Sequence, residues 1–135
     1  MKKIINFALL ISLTIFILYS FKSITQDKWI VPKEYKTMKN PTNANDKENK
    51  SIGKSLYMKH CKSCHGKEGL GDGPKADDQE GDLGDFSSDE TQSQTDGELF
   101  YKITKGRDDM PKFEKKIASA EDRWLIVNYV RTLKE

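Results

Sequence analysis

The sequence has few histidines, few cysteines and no strand-like patterns, and each shortage narrows what the chain can be. Two His and two Cys are present in 135 residues, so the two separated ligand pairs of an ordinary structural zinc site are missing. No alternation of apolar and polar residues marks a strand, and no segment repeats. Only 36% of the residues are hydrophobic, whereas 33% are charged. The composition predicts one small, polar, helical domain that is short of core.

The expected folded domain has no net positive charge. Residues 1–50 hold nine Lys and four acidic residues, which gives +5, whereas residues 51–135 hold 14 basic and 17 acidic residues, which gives −3. Proteins that bind nucleic acid need a basic face on the domain itself, so no nucleic-acid partner is expected. A mildly acidic domain suits a partner that presents a basic patch.

The N-terminus is predicted to be a targeting segment. Lys2 and Lys3 precede an almost wholly apolar stretch over residues 4–21. That stretch is longer than the roughly 7–15 apolar residues of a signal peptide, and it approaches the about 20 residues of a membrane-spanning helix. Residues 1–23 are therefore a signal peptide or an N-terminal membrane anchor, and both alternatives place the remainder outside the cytoplasmic membrane.

The remaining chain divides into a linker over residues 24–50 and a folded domain over residues 51–135. The polar run 42–50 cannot bury enough apolar surface to fold alone. Within the linker, the apolar patch 29–32 and the nearby Tyr35 stand out. This patch packs on the domain, packs on a neighbouring molecule or stays exposed, and the sequence does not choose among the three.

Periodicity and capping signals predict three helices. Residues 51–61 place apolar and small residues three and four apart. Residues 96–105 follow Thr95, which forms a capping box with Glu98. A third helix extends from Ser119, a good N-cap, to about residue 133.

Between the first two helices, residues 66–95 contain many glycines and many acidic residues, and they predict a loop. A loop of this length is unusual in a compact domain. It is explained if it wraps a cofactor instead of lying on a protein core.

The chemistry of the chain centres on Cys61-Lys62-Ser63-Cys64-His65, the C-x-x-C-H pattern of c-type haem attachment. Each thiol adds to a haem vinyl group, and two intervening residues match the separation of the two vinyls. The next residue, His65, then lies under the iron and supplies a nitrogen ligand. The pattern predicts one covalently bound haem c, which would supply part of the missing core.

With these residues the sequence resembles the class I cytochrome c family over about residues 51–134. The likeness is carried by motifs in the family's order: Gly53 and Tyr57 before the haem-binding motif, Gly66 to Pro74 after it, Gly106 to Pro111 as a Met-Pro loop, and Trp124 to Leu133 as a C-terminal helix. The resemblance implies an all-α fold with three to four helices around one haem.

The resemblance also implies further site residues. Met110 would be the sixth iron ligand, and its soft thioether opposite His65 would raise the haem potential. The carbonyl of Pro74 would accept a hydrogen bond from the ring N–H of His65 and fix its orientation. In the alternative, Met110 is a packing residue, and water or another group holds the sixth position.

The function expected from this site is electron transfer between a donor and an acceptor protein, as a shuttle or as a subunit of a respiratory chain. The protein would be periplasmic or on the outer face of the cytoplasmic membrane. Two filled axial positions leave no open site for catalysis, so no enzymatic activity is expected. The alternative is a haem-based sensor or small haem enzyme with a labile sixth ligand.

Other readings of the motifs are weaker. A thiol–disulfide site at Cys61 and Cys64 would follow a strand, and none is predicted. Zinc binding would require adjacent Cys64 and His65 to hold one ion. Calcium binding by Asp78, Glu80 and Asp82 lacks the residue order of an EF-hand.

Overall fold

A computed structural model describes residues 28–134, and the predicted signal peptide or anchor over residues 1–23 lies outside them. Seven helices form in the described range: α1 (Lys33–Lys36), α2 (Lys47–His60), α3 (Lys62–His65), α4 (Asp89–Gln92), α5 (Asp96–Lys105), α6 (Phe113–Lys116) and α7 (Ala120–Arg131). Helices α2, α5 and α7 are long, and the other four are single turns. No strand occurs in residues 28–134, and the all-α prediction is confirmed.

Helices α2 and α7 pack closely because Gly53 has no side chain. A Cβ atom at Gly53 would lie only 2.3 Å from the carbonyl oxygen of Leu125. One turn later Tyr57 is fully buried, with its ring centroid 4.9 Å from that of Tyr129. Its hydroxyl donates to the carbonyl of Gly66 at 2.9 Å. The glycine and the aromatic residue that carried the resemblance thus form the contact between the two helices.

The helix starts are set by side-chain caps. Thr95 Oγ1 accepts from the Glu98 amide at 3.2 Å, and Glu98 Oε2 accepts from the Thr95 amide at 2.8 Å. Ser119 Oγ accepts from the amide of Asp122 at 3.1 Å. Both caps are as predicted. Helix α2 begins at Lys47, earlier than predicted, because Asp46 caps it by accepting from the Asn49 amide at 2.9 Å.

Helix α4 interrupts the predicted loop over residues 66–95. Ser88 caps it by accepting from the amide of Thr91. The remainder of the loop is held by its backbone: Phe86 N–H donates to the Gly69 carbonyl at 2.7 Å, and Gly71 N–H donates to the His65 carbonyl at 2.9 Å. These bonds fold the loop back onto α3.

The predicted linker over residues 24–50 is not a free tether where the structure describes it. Val31 is buried, with 5% of its surface exposed. The ring of Tyr35 meets that of Tyr101 on α5 edge-on, with centroids 4.7 Å apart. Asn40 Nδ2 donates to Asn128 Oδ1 on α7 at 2.7 Å. Part of the apolar patch therefore packs on the domain, whereas Ile30 stays 85% exposed.

Within residues 28–134 no helix combines the length and the apolar character that crossing a bilayer requires. The apolar stretch 4–21 lies outside these residues.

Candidate functional site

One cavity of about 860 Å³ brings together the four residues predicted to hold the cofactor: Cys61, Cys64, His65 and Met110. Its volume is in the range of about 300–1,000 Å³ that is usual for cofactor and ligand sites. Apolar and aromatic side chains from the surrounding helices form much of its wall: Tyr57, Leu99, Ile103, Phe113, Ile126 and Val130. All six belong to the hydrophobic core, so the core opens onto the cavity.

The two cysteines lie at the junction of α2 and α3. The amide of Cys61 donates to the Tyr57 carbonyl at 2.8 Å, which places Cys61 one turn beyond Tyr57. No disulfide joins the two cysteines, of which Cys61 is buried and Cys64 half-buried. Burial, with a smaller contribution from Cys64, raises the pKa of the Cys61 thiol to about 12. Thiol–disulfide catalysts need a lowered thiol pKa, so this environment disfavours that alternative.

His65 is oriented by two contacts. Its Nδ1 lies 3.1 Å from the carbonyl oxygen of Leu83, and its ring stacks on Phe86 with centroids 4.5 Å apart. Burial lowers the pKa of His65, although the hydrogen bond with Leu83 acts in the opposite direction. A neutral imidazole that donates from Nδ1 keeps the lone pair of Nε2 available as a ligand.

The acceptor for His65 is a correction to the sequence prediction, because the structure gives this role to Leu83 instead of Pro74. Pro74 is exposed. Its neighbours Gly73 and Lys75 donate their amides to the carbonyls of Cys64 and Ser63, at 3.0 and 2.8 Å. These bonds hold the Pro74 segment against the end of α3, whereas Leu83 lies in the cavity wall.

Met110 closes a tight turn between α5 and α6. Arg107 N–H donates to the Met110 carbonyl at 3.1 Å, and Met110 N–H donates to the Arg107 carbonyl at 2.8 Å. Gly106 and Asp108 adopt positive φ angles of 59° and 52°. Asp109 Oδ2 accepts from the amide of Glu80 at 2.8 Å, which ties this turn to the acidic loop. Met110 is half-buried in the cavity wall.

These residues fit a covalently attached haem. Two thiols with two residues between them, an imidazole directly after them and a thioether share one cavity with an apolar wall. Among residues 28–134, no group of three or more His, Cys, Asp and Glu side chains is arranged to hold a metal ion by itself. One imidazole and one thioether are the protein ligands that a haem iron takes in cytochromes c.

Sequence reasoning missed two parts of this wall. No sequence signal marked the Leu83 carbonyl as an acceptor, because every residue has a backbone carbonyl. Trp29 and Val31 also line the cavity, and their signal was visible as an apolar patch in an otherwise polar segment. The patch indicated packing somewhere, but not its partner.

A protein family and a solved structure are similar to this chain. The model of the family described as cytochrome c oxidase, cbb3-type, subunit III matches residues 48–130. A solved structure, the reducing HAO-like protein complex of Kuenenia stuttgartiensis, is similar with 27% identity and a TM-score of 0.58. The match covers 70% of this chain and 50% of that one, so this chain spans about half the length of its neighbour. A search of curated proteins found no match.

The family match and the helical architecture together confirm the predicted class I cytochrome c fold. The matched residues include the whole C-x-x-C-H motif and Met110. Because the match covers more than half of the 135 residues, the chain belongs to this family of c-type cytochrome domains, which bind haem c covalently and transfer electrons.

Proposed function

We propose that this chain is an electron carrier with one haem c, attached through Cys61 and Cys64 and ligated by His65 and Met110. The observation that carries the proposal is the single cavity that all four side chains line. When bound, the haem iron supplies the one-electron redox chemistry. The protein's part is to hold the group, to set its potential through the ligands and to exclude competing ligands.

Each side chain has a defined task in this proposal. Cys61 and Cys64 form the thioethers, so the cofactor cannot dissociate from an exported protein. His65 is held with Nδ1 toward Leu83, and an imidazole that donates this hydrogen bond is a stronger ligand. Met110 supplies the soft sulfur that raises the potential. If His65 and Met110 both hold the iron, no position on it would be left for a substrate.

We further propose that the domain works outside the cytoplasmic membrane, with residues 1–23 as signal or anchor, and that its partners are respiratory proteins. The matching family is described as a subunit of a cbb3-type cytochrome c oxidase, and the solved neighbour is part of a complex. The net charge of −3 over residues 51–135 favours a partner with a basic patch, because complementary charge speeds encounter.

Covalent attachment is tested by expressing the chain with haem-maturation machinery and staining a denaturing gel for haem. Wild type is expected to stain. Cys64→Ser is expected to lose one thioether, and Cys61→Ser with Cys64→Ser to lose the stain. The matched control is Ser63→Ala, an exposed position inside the motif, and it should stain like wild type. Absence of stain in wild type would refute the proposal and return the cysteines to thiol chemistry.

Axial ligation is tested on the same protein by its visible spectrum and reduction potential. The ferric protein should show the weak long-wavelength band of sulfur–iron ligation. Met110→Ala should abolish the band and lower the potential, whereas Met58→Leu in α2 should change neither. A wild-type protein with covalent haem but without that band would favour the sensor or small haem enzyme.

A further inference from the structure

The segment over residues 28–42, called the strap below, forms part of the cavity wall. Lys28, Trp29 and Val31 line the same cavity as His65 and Met110. The strap lies before the residues that match the family model, which begin at residue 48. The family match therefore does not account for the part of the cavity wall that the strap forms.

The strap is firmly attached to α5 and α7. Tyr35 approaches α5 so closely that a Cβ atom at Gly97 would lie 1.8 Å from the Tyr35 carbonyl oxygen. At its far end, Thr42 Oγ1 accepts from Asn128 Nδ2 on α7 at 2.8 Å. Val31, two residues after Trp29, is also buried. Because these contacts fix the chain that follows Trp29, the fold sets the position of Trp29.

Trp29 meets the turn that carries Met110. The guanidinium carbon of Arg107 lies 4.6 Å from the centroid of the Trp29 ring, and Lys102 Nζ lies 5.4 Å from it. Both distances are within the range of cation–π attraction, for which Trp is the best partner. Arg107 is also the residue that exchanges two backbone hydrogen bonds with Met110. A contact that fixes Arg107 thereby restrains Met110.

The turn that carries Met110 combines exposed residues with an unfavourable backbone conformation. Asp108 and Asp109 are exposed, and Asp108 has a positive φ that residues other than glycine seldom adopt. The amide of Glu80 donates to Asp109 Oδ2 of the same turn. Trp29 and Glu80 therefore contact the turn at two different residues, Arg107 and Asp109.

We infer that Trp29 is a positioning residue for Met110: its ring face holds Arg107, and through the paired backbone bonds it keeps the Met110 sulfur over the cavity. This inference rests on the proposed function, since it takes Met110 as the sixth ligand. Loss of the ring face leaves Met110 in place but more easily displaced. An external ligand that competes for the sixth position measures this directly.

The test is the affinity of imidazole for the ferric, haem-loaded protein, followed by visible spectroscopy. Trp29→Leu keeps apolar bulk but removes the ring face, and it should bind imidazole about 5- to 30-fold more tightly than wild type. Trp29→Phe keeps a ring face and should stay close to wild type. The matched control is Ile30→Ala, since Ile30 is 85% exposed, and it should leave the affinity unchanged.

A second variant approaches the same contact from the other side. Arg107→Gln removes the cation and should also tighten imidazole binding. It additionally loses the ion pair of Arg107 Nε with Asp108 Oδ2, at 3.2 Å. Asp108→Asn removes that ion pair alone and should behave like wild type. If Trp29→Leu fails to fold, the comparison of Arg107→Gln with Asp108→Asn still tests the inference.

Two results would overturn the inference in different ways. If wild type shows the sulfur–iron band and both Trp29→Leu and Arg107→Gln bind imidazole as wild type does, Trp29 does not position Met110, while the proposed function stands. Equal tightening by Trp29→Leu and Trp29→Phe would assign the effect to ring volume, with the same consequence. If wild type lacks the band and Met110→Ala does not alter imidazole affinity, the proposed ligation fails, and the inference fails with it.

Discussion

The α2–α7 helix pair and the loop walls of the cavity are held in different ways. The helix pair is joined by side-chain packing around Gly53 and the fully buried Tyr57. The loop walls, residues 66–88 and 106–112, are joined mainly by backbone hydrogen bonds and by glycines at positive φ. The helix contact leaves no room for a Cβ atom at Gly53, whereas Gly84 in the loop wall has room for one but adopts a positive φ that most residues avoid.

The same difference separates the residues proposed to attach the haem from the residue proposed as its sixth ligand. The cysteines and His65 follow directly from α2, so their placement depends on the most tightly packed part of the molecule. Met110 sits in a short turn that receives its support from Trp29 and from the Glu80 amide. The residues proposed to attach the haem thus depend on helix packing, whereas the proposed sixth ligand depends on tertiary contacts of a turn.

The largest effect should come from adding one methyl group to the helix contact. Gly53→Ala places a Cβ atom 2.3 Å from the Leu125 carbonyl oxygen, so the helices must move apart. The unfolding free energy should fall by about 3 kcal/mol. In the loop wall, Gly84→Ala meets no atom within 4 Å but sits at a φ of 71°, so it should lose only about 1 kcal/mol. Urea unfolding of the haem-loaded proteins measures both.

The control for this pair is Ser55→Ala, at an exposed position of α2, which should not destabilise the protein. Equal losses for the Gly53 and Gly84 variants would contradict the distinction between a packed region and a conformationally restricted one.

A smaller effect is expected where the two regions meet. Phe86 belongs to the loop wall, but its ring stacks on His65 and lies 6.4 Å from the Tyr57 ring. Because Phe86 is half-buried, Phe86→Ala should lower the unfolding free energy by about 2 kcal/mol, less than a fully buried Phe would. Phe86→Leu keeps apolar bulk and should lose about half as much. A loss under about 0.5 kcal/mol for Phe86→Ala would show that the loop wall contributes no packing.

Removing a helix cap separates local from tertiary stabilisation. Thr95→Ala eliminates the acceptor for the Glu98 amide and should reduce the unfolding free energy by about 1 kcal/mol. Thr95→Ser retains a hydroxyl and should remain within a few tenths of wild type. Thermal and urea unfolding together report the change, and a Thr95→Ser loss as large as that of Thr95→Ala would exclude capping as its cause.

The smallest effect should follow from Pro74→Ala. Since Leu83 provides the acceptor for His65 Nδ1, the visible spectrum and the reduction potential should match those of wild type. The unfolding free energy should fall by no more than about 1 kcal/mol, through the greater freedom of the unfolded chain. A clear shift in potential would restore Pro74 as the partner of His65. Gly84→Ala, next to Leu83, is the matched change that should disturb the potential.

Several features of this protein were determined by its sequence alone, because their causes are local. The C-x-x-C-H motif, the Thr95–Glu98 capping box and the Ser119 cap each depend on residues within a few positions of one another. The same holds for the face that joins Gly53 to Tyr57. Local signals of this kind predicted the long helices α5 and α7 and most of α2, and with them the all-α fold.

Only the tertiary structure decided the other wall of the cavity. The acceptor for His65 is a backbone carbonyl 18 residues away, and every residue type has one, so the sequence could not single out Leu83. Trp29 reaches Arg107 across 78 positions of chain, through contacts of the strap with α5 and α7. Helix caps and periodic faces depend on neighbouring residues. The partner of an apolar patch or of a ring nitrogen depends on which surfaces and backbone groups the folded helices leave exposed.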